Sequence, residues 1–184
     1  MANKMYDLYF GEREKHEVGT LNTMWAKPYV NGAILEVENI DNYLLVELNG
    51  YDEEGNIKCK PLTANNKQGF LVATHEEESL FGDGTTLQGN YTDFYNAKGE
   101  IVRLMIPEPF VRFETSAFTK ANTGKALKYG QNVHYDAATK KYIVSNDTSD
   151  HSGFASATNK YELVGIDTDF GQNVGKETIR LQAK

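Results

Sequence analysis

One stretch, residues 127–144, constrains the fold of this chain more than any other part of the sequence. Val133 and Tyr135 alternate there with His134, and after a polar turn the chain returns as a second run of aromatic and β-branched residues. Such residues favour a pleated, half-buried surface, and Asp136 can hold the turn by accepting a hydrogen bond from a nearby backbone N–H. The stretch predicts a β-hairpin whose Val133 and Tyr135 face the core, with His134 on the opposite face. We expect His134 to be exposed and to titrate normally; a pH-sensitive contact is the alternative.

Segments of the same character recur along the chain. Runs of strand length at residues 33–38, 43–48 and 100–106 are separated by turns rich in glycine, asparagine and aspartate. The 40% hydrophobic content argues against disorder, and 16 glycines against 4 prolines favour tight turns over rigid linkers. The sequence therefore predicts an all-β, mainly antiparallel protein, built as a β-sandwich or as small β-barrel units with long loops.

A break near the middle of the chain predicts two parts. Pro107 and Pro109 stop the strand before them, and residues 110–118 then alternate apolar and polar side chains as a new strand. We predict an N-terminal β-rich region at residues 1–110 and a C-terminal β-barrel or sandwich unit at residues 111–184.

Charge and cysteine content narrow the range of functions. A formal net charge of −7 disfavours broad electrostatic attachment to nucleic acid or to anionic membranes. The single cysteine, Cys59, is predicted to be a small buried strand residue, and the four scattered histidines form no zinc motif. No apolar run has the length of a signal peptide core or a membrane span, so we expect synthesis and folding in the cytoplasm.

No local motif of catalysis occurs in the sequence. Nucleophile elbows, zinc-protease pairs and glycine-rich phosphate loops are all missing. Carboxylate pairs such as Glu36 with Glu38, or Asp52 with Glu54, arise by chance among 26 acidic residues. The triple glutamate at residues 76–78 and the pair Asp147 and Asp150 could attract a cation. Hard cations need several oxygen ligands around one centre, and Asp147 and Asp150 lack the ligand spacing of an EF-hand, so we interpret both groups as solvated. We therefore expect no enzyme, no cofactor and no metal.

Aromatic residues near the N-terminus are the candidate partner-binding residues. The only tryptophan, Trp25, lies in a stretch with neither helical nor strand periodicity, and Tyr6 and Tyr9 lie in a predicted edge strand or arm. Large aromatic side chains supply much of the binding energy of protein interfaces. We predict Tyr6, Tyr9, Trp25 and Tyr29 as anchors for a partner.

Four short runs in the C-terminal part resemble the tail half of the head decoration and cement proteins of tailed bacteriophages. They lie at residues 113–118, 127–136, 163–166 and 179–181, and the likeness covers residues 110–184. In that family, a glycine-led strand entering a turn, a late strand with a central glycine and a final strand with a central arginine build a small β-barrel or sandwich. The family's unit sits on the capsid lattice.

The resemblance implies a non-enzymatic virion protein that binds the outer face of the assembled major capsid protein and reinforces it. It implies a homo-oligomer, such as a trimer at local symmetry axes, on the capsid surface, with no direct contact to nucleic acid or membrane. The region at residues 1–110 would then contribute to lattice binding. Two other interpretations stay open: a tail or baseplate component, and a carbohydrate-binding module in which Trp25 and loop tyrosines stack on sugars.

Overall fold

The computed structural model describes residues 15–23, 28–74 and 91–184, and their regular structure is almost entirely β. The all-β prediction is confirmed. A 3-10 turn (Tyr91–Asp93) and one short helix, α1 (Asp169–Val174), complete the regular structure of these ranges. The strands are β1 (Gly19–Leu21), β2 (Pro28–Leu35), β3 (Leu45–Tyr51), β4 (Ile57–Pro61), β5 (Phe70–Val72), β6 (Ile101–Met105), β7 (Arg112–Thr115), β8 (Phe118–Lys120), β9 (Asn132–Asp136), β10 (Lys141–Val144), β11 (Lys160–Ile166) and β12 (Ile179–Ala183).

Strands β2 to β6 close into a small barrel in the order β2-β4-β3-β5-β6. Strand β2 closes the ring because it pairs with β4 in parallel and with β6 antiparallel. Leu35, Leu45, Leu71 and Leu104 point inward and are fully buried. Cys59 is buried among them, as predicted, and burial raises the pKa of its thiol to about 12. Closure leaves these strands without an exposed sheet edge.

The second sheet has the order β1-β7-β12-β11-β9-β10-β8. Only Ser116 and Ala117 separate β7 from β8 in the chain, although the two strands lie five places apart in the sheet. In a flat sheet that separation would be about 24 Å, whereas three peptide links span at most about 11 Å. The second sheet must therefore curl back on itself, so it is barrel-like as well, with β1 added beside β7.

The predicted hairpin is present in the second sheet. Strands β9 and β10 are antiparallel, with Tyr135 opposite Tyr142 and Val133 opposite Val144. Asp136 holds the turn because its Oδ2 accepts hydrogen bonds from the backbone N–H and the hydroxyl of Thr139, at 3.2 and 2.7 Å. Val133 and Tyr135 are both buried, which confirms their predicted orientation.

Aromatic rings pack together on the inner face of the curled second sheet, and one of them bonds to the first barrel. Phe113 lies 5.5 Å from Tyr142 and 5.6 Å from Tyr161, and Tyr135 packs edge-on against Tyr142 at 5.0 Å. The hydroxyl of Tyr142 donates a 2.8 Å hydrogen bond to the backbone carbonyl of Tyr43, which precedes β3. Apolar residues of both sheets form one continuous core. A division into domains at residue 110 stays a prediction.

The expected exposure of His134 is wrong. Its side chain points away from the aromatic core, as predicted, yet only 1% of the residue is exposed. Residues 145–159, which follow β10, fold across that face, and the ring of His151 stacks on the ring of His134 at 5.1 Å. A distant loop therefore buries a side chain that the local strand pattern assigns to solvent.

No helix within the described ranges has the length and apolar character that crossing a membrane requires.

Candidate partner-binding surface

Most of the predicted anchors fall outside the described part of the chain. Tyr6, Tyr9 and Trp25 lie at positions that the structure does not describe. Tyr29 lies in β2, where the register of that strand with β6 shifts between Pro28 and Val30. The role of all four aromatic residues as anchors stays a prediction.

Within the described ranges, three other aromatic side chains are strongly exposed. Phe110 is 76% exposed, Tyr129 is 71% exposed and Tyr51 is 69% exposed. A further exposed ring, that of Tyr91, packs edge-on against Phe170 at 5.4 Å and so has an internal partner. Since exposed aromatic rings are enriched at protein interfaces, the first three residues form our candidate contact set.

Phe110 lies in a tight turn between β6 and β7. The sequence predicts a strand from residue 110, but β7 begins at Arg112, and Phe110 has a φ of 74°, which no strand accommodates. Its N–H donates to the carbonyl of Ala183 at 3.0 Å, and the N–H of Val111 donates to the carbonyl of Glu108 at 3.0 Å. The turn therefore presents the ring on a fixed backbone, in a left-handed conformation that is costly for a bulky residue.

Tyr51 ends β3 beside a second well-ordered turn. Gly50 precedes it with a φ of 78°, and the following loop is held by Asp52, whose Oδ1 accepts hydrogen bonds from the N–H groups of Glu54 and Asn56 at 2.9 and 2.7 Å. Hydrogen bonds from the side chain and backbone of Asn56 keep the pKa of Asp52 below its usual value. The turn is thus organised before any partner binds.

Tyr129 is the third exposed ring, and it corrects the extent of the hairpin. The alternation that begins at Leu127 suggests a strand there, yet residues 127–131 form a turn before β9. Gly130 has a φ of 81°, and its N–H donates to the carbonyl of Leu163 at 2.8 Å. Lys128 braces the same turn with a 2.7 Å ion pair to Asp147. Tyr129 therefore points outward from a backbone that is fixed on both sides.

A sequence signal for these three residues exists. Each aromatic residue stands directly beside a glycine or a proline in a turn: Gly50 before Tyr51, Pro109 before Phe110 and Gly130 after Tyr129. A large ring at such a position has few strand neighbours to pack against.

Of the carboxylates considered for catalysis or cation binding, those at residues 76–78 lie outside the described ranges, and several of the others have partners within the protein. Glu36 accepts a 2.8 Å hydrogen bond from Lys58, which together with Asn49 lowers the pKa of its carboxyl. Asp147 pairs with Lys128, and Asp150 accepts a 2.7 Å hydrogen bond from Asn132. Within the described ranges, no three His, Cys, Asp or Glu side chains lie together in a way that could hold a metal ion.

The fold and the surface together define an all-β protein with two small barrel-like sheets and aromatic rings displayed on rigid turns. The chain belongs to the YonC prophage protein family, whose sequence pattern matches residues 12–184. It is 38% identical over 169 residues to the SPbeta prophage-derived protein YonC of Bacillus subtilis strain 168, an alignment that covers 91% of this chain and 90% of that protein. No solved structure matches the chain significantly. The phage origin implied by the resemblance is confirmed, whereas capsid decoration stays a prediction.

Proposed function

We propose that this protein is a structural component of the phage particle that binds the outer surface of the assembled capsid and reinforces it. The observation that carries the proposal is the set of three exposed aromatic rings, Tyr51, Phe110 and Tyr129, each on a hydrogen-bonded turn. The prophage family of the chain supports the setting. In this role the protein is not an enzyme, its partner is the major capsid protein, and it acts as a homo-oligomer, such as a trimer, on the capsid lattice.

Rigid aromatic rings suit binding to a repeated surface. A buried aromatic anchor can contribute about 2 kcal/mol or more to an interface, and ordering a mobile side chain or loop on binding costs part of that gain. Because the turns at Tyr51, Phe110 and Tyr129 are fixed in the free protein, this cost is small. Copies bound side by side would each add the same contacts to the lattice.

Charge near the rings specifies the partner surface further. Exposed Glu108 lies two residues before Phe110, and exposed Glu53 and Glu54 follow Tyr51 closely. The net charge of −7 extends this acidic character to the whole chain. Complementary charge guides association and orients partners. The capsid surface that fits these two rings would therefore offer apolar pockets rimmed by lysine or arginine.

The first experiment asks whether the protein is on the capsid. Mass spectrometry of purified particles should detect it, and cryo-EM of the particles should show its density on the outside of the head. Density on the tail or baseplate would replace the proposal with the tail alternative. Absence from particles, together with no binding of purified protein to capsids that lack it, would refute a virion role, and a glycan array would then test the carbohydrate-binding alternative.

The second experiment tests the aromatic contacts. Phe110→Ala, Tyr51→Ala and Tyr129→Ala should each weaken binding to capsids, by about 30-fold where the ring is a dominant anchor. Val37→Ala is the matched control, because Val37 is a half-exposed apolar residue on the surface of the first barrel. Equal binding by all four variants would remove these rings from the interface even if the protein is found on the head.

A further inference from the structure

Buried His134 and partly exposed His151 form a stacked pair of histidines on the outer face of the second sheet. Their rings stack with centroids 5.1 Å apart and planes 19° from parallel, and Phe154 packs edge-on against His134 at 6.3 Å. His134 is 1% exposed, and within the described part of the chain neither of its ring nitrogens has a hydrogen-bond partner. A buried polar group without a partner is costly, so this arrangement needs an explanation.

The loop that covers His134, which we call the covering loop (residues 145–159), is folded closely over the ring. A methyl group added at Gly153 would lie only 2.8 Å from Nε2 of His134. The loop is closed by its own hydrogen bonds: the N–H of His151 donates to Oγ of Ser145 at 3.0 Å, and the N–H of Gly153 donates to Nδ1 of His151 at 3.3 Å. The N–H of Phe154 also donates to the carbonyl of His151 at 2.9 Å.

The charges around His134 come from every element that packs on it. On β9 itself, Asp136 lies two residues away on the same face. Lys160 of β11 is paired with His134 in the sheet, and its ammonium group lies 5.0 Å from the ring centre of Phe154. From β10 the paired residue is apolar Ile143. The covering loop contributes His151, as well as Asp150, which is bonded to Asn132.

This environment disfavours a positive charge on His134. Burial lowers the pKa of its imidazole, the proximity of His151 lowers the pKa further, and Asp136 only partly opposes these effects. A proton added to the ring would lie close to His151, at a position that the loop shields from water.

We propose that the covering loop is a pH-sensitive latch: it stays closed over neutral His134 and opens when that histidine binds a proton. Opening brings the imidazole of His134 into water and exposes Phe154 and the outer face of β9. The latch does not rest on the aromatic contacts proposed for capsid binding. Tyr51, Phe110 and Tyr129 all lie outside the covering loop, although the ion pair of Lys128 with Asp147 links the turn of Tyr129 to that loop.

The direction of the effect follows from linkage between protonation and opening. The pKa of His134 is lower in the closed state than in the open state, where it takes its ordinary value of about 6.5. The closed state therefore has its full stability above pH 6.5 and loses it as the pH falls below that value, until His134 protonates in the closed state as well. At pH 5.5 the open state gains about tenfold, provided that the closed ring is still neutral.

Hydrogen exchange of the intact protein tests the latch. Protection factors, which correct for the effect of pH on intrinsic exchange, should fall about tenfold in the covering loop between pH 7.5 and pH 5.5, and stay constant in the first barrel. His134→Phe keeps a ring but cannot titrate, so its loop should show no pH response. His151→Phe is the matched control, because it alters the partner ring and leaves His134 able to bind a proton; its loop should still open in acid.

Two results would overturn the latch: constant protection of the wild-type loop over this pH range, or an equal loss of protection in His134→Phe. If His134→Phe does not fold, the ring of His134 is titrated in the wild-type protein by NMR. A pKa clearly below 6.5, with loop protection falling over the same pH range, supports the proposal. A pKa at or above 6.5 refutes it.

Discussion

The guanidinium group of Arg180, on β12, binds the buried carboxylate of Glu114, on β7, through Nε at 3.0 Å and Nη2 at 2.5 Å. Asn22 donates to the same carboxylate at 3.1 Å, and the hydroxyl of Thr168 donates to its second oxygen. The carboxylate thus ties three segments to β7: the chain after β1, the segment before α1, and β12. The side chain of Glu114 is 3% exposed, so the strength of these bonds matters for folding.

Replacing Glu114 with alanine should destabilise the protein by about 2–3 kcal/mol. Removing one partner of a buried ion pair typically costs 3–5 kcal/mol, but the side chain of Arg180 is 39% exposed and water can compensate it in part. Urea unfolding monitored by circular dichroism measures the change. Glu108→Ala is the matched control, because Glu108 is exposed and should change stability by less than about 0.5 kcal/mol. Equal stability of the two variants would mean that the Glu114 cluster contributes nothing.

Tyr142→Phe should cost about 1–2 kcal/mol of stability while leaving the fold intact. The phenylalanine keeps the ring contacts with Phe113 and Tyr161, but the buried carbonyl of Tyr43 loses the hydroxyl that donates to it at 2.8 Å. Tyr129→Phe removes a hydroxyl from an exposed ring and should be neutral. A thermal melt of both variants suffices, and no difference between them would show that the bond joining the two sheets is dispensable.

The alternation of apolar and polar residues could predict part of this fold, because a hairpin depends on residues that are close together in the sequence. The hairpin of β9 and β10 needs only the aromatic and β-branched pattern and the turn at Asp136, and both are visible in the sequence. The curling of the second sheet depends on β8 pairing in parallel with β10, a contact between strands that are not consecutive along the chain. No periodicity within a single strand encodes such a pairing.

The burial of polar strand residues could not be predicted from the sequence either. Alternation places Glu114 and His134 on outer faces, and both side chains do point away from the aromatic core. Segments remote in sequence then cover them: Asn22 and Thr168 lie against Glu114, and His151 lies against His134. The exposure of Phe110 and Tyr129 was missed for the opposite reason, because both residues fit a strand pattern in the sequence. In the structure, the left-handed backbone at Phe110 and at Gly130 forms turns that direct these two rings into solvent.

Val133→Asp should unfold the second sheet. Val133 is fully buried between Val144 of β10 and Tyr161 of β11, its partners in register, so an aspartate there would lose its hydration next to apolar and aromatic side chains. We expect a loss above about 4 kcal/mol, which exceeds the effect of most substitutions. Thr119→Asp introduces the same charge at an exposed position of β8 and serves as the control. An unchanged melting temperature of Val133→Asp would contradict the placement of Val133 in the core.

Protonation of Glu47 in acid should make the first barrel less stable. Burial by itself would raise the pKa of this carboxyl, but hydrogen bonds from Lys67 and Thr63 outweigh burial and hold the pKa below its usual value. Lys67 lies 2.9 Å from Oε2 and Lys60 lies 3.5 Å from Oε1. A carboxyl whose pKa is lower in the folded state stabilises the fold above its unfolded pKa of about 4.3, and this contribution disappears as the pH falls through the folded value.

Glu47→Gln tests that dependence on pH. The variant should be less stable than the wild type at pH 7, and the difference in the free energy of unfolding should shrink as the pH falls below about 4, because the wild-type carboxyl then carries a proton as well. Urea unfolding at pH 7, 5 and 3.5 measures it. Glu53→Gln, at an exposed position in the neighbouring turn, should show no difference at any of these values. A constant difference between Glu47→Gln and the wild type would show that Glu47 acts through shape and neutral hydrogen bonds, and that its charge contributes nothing to the barrel.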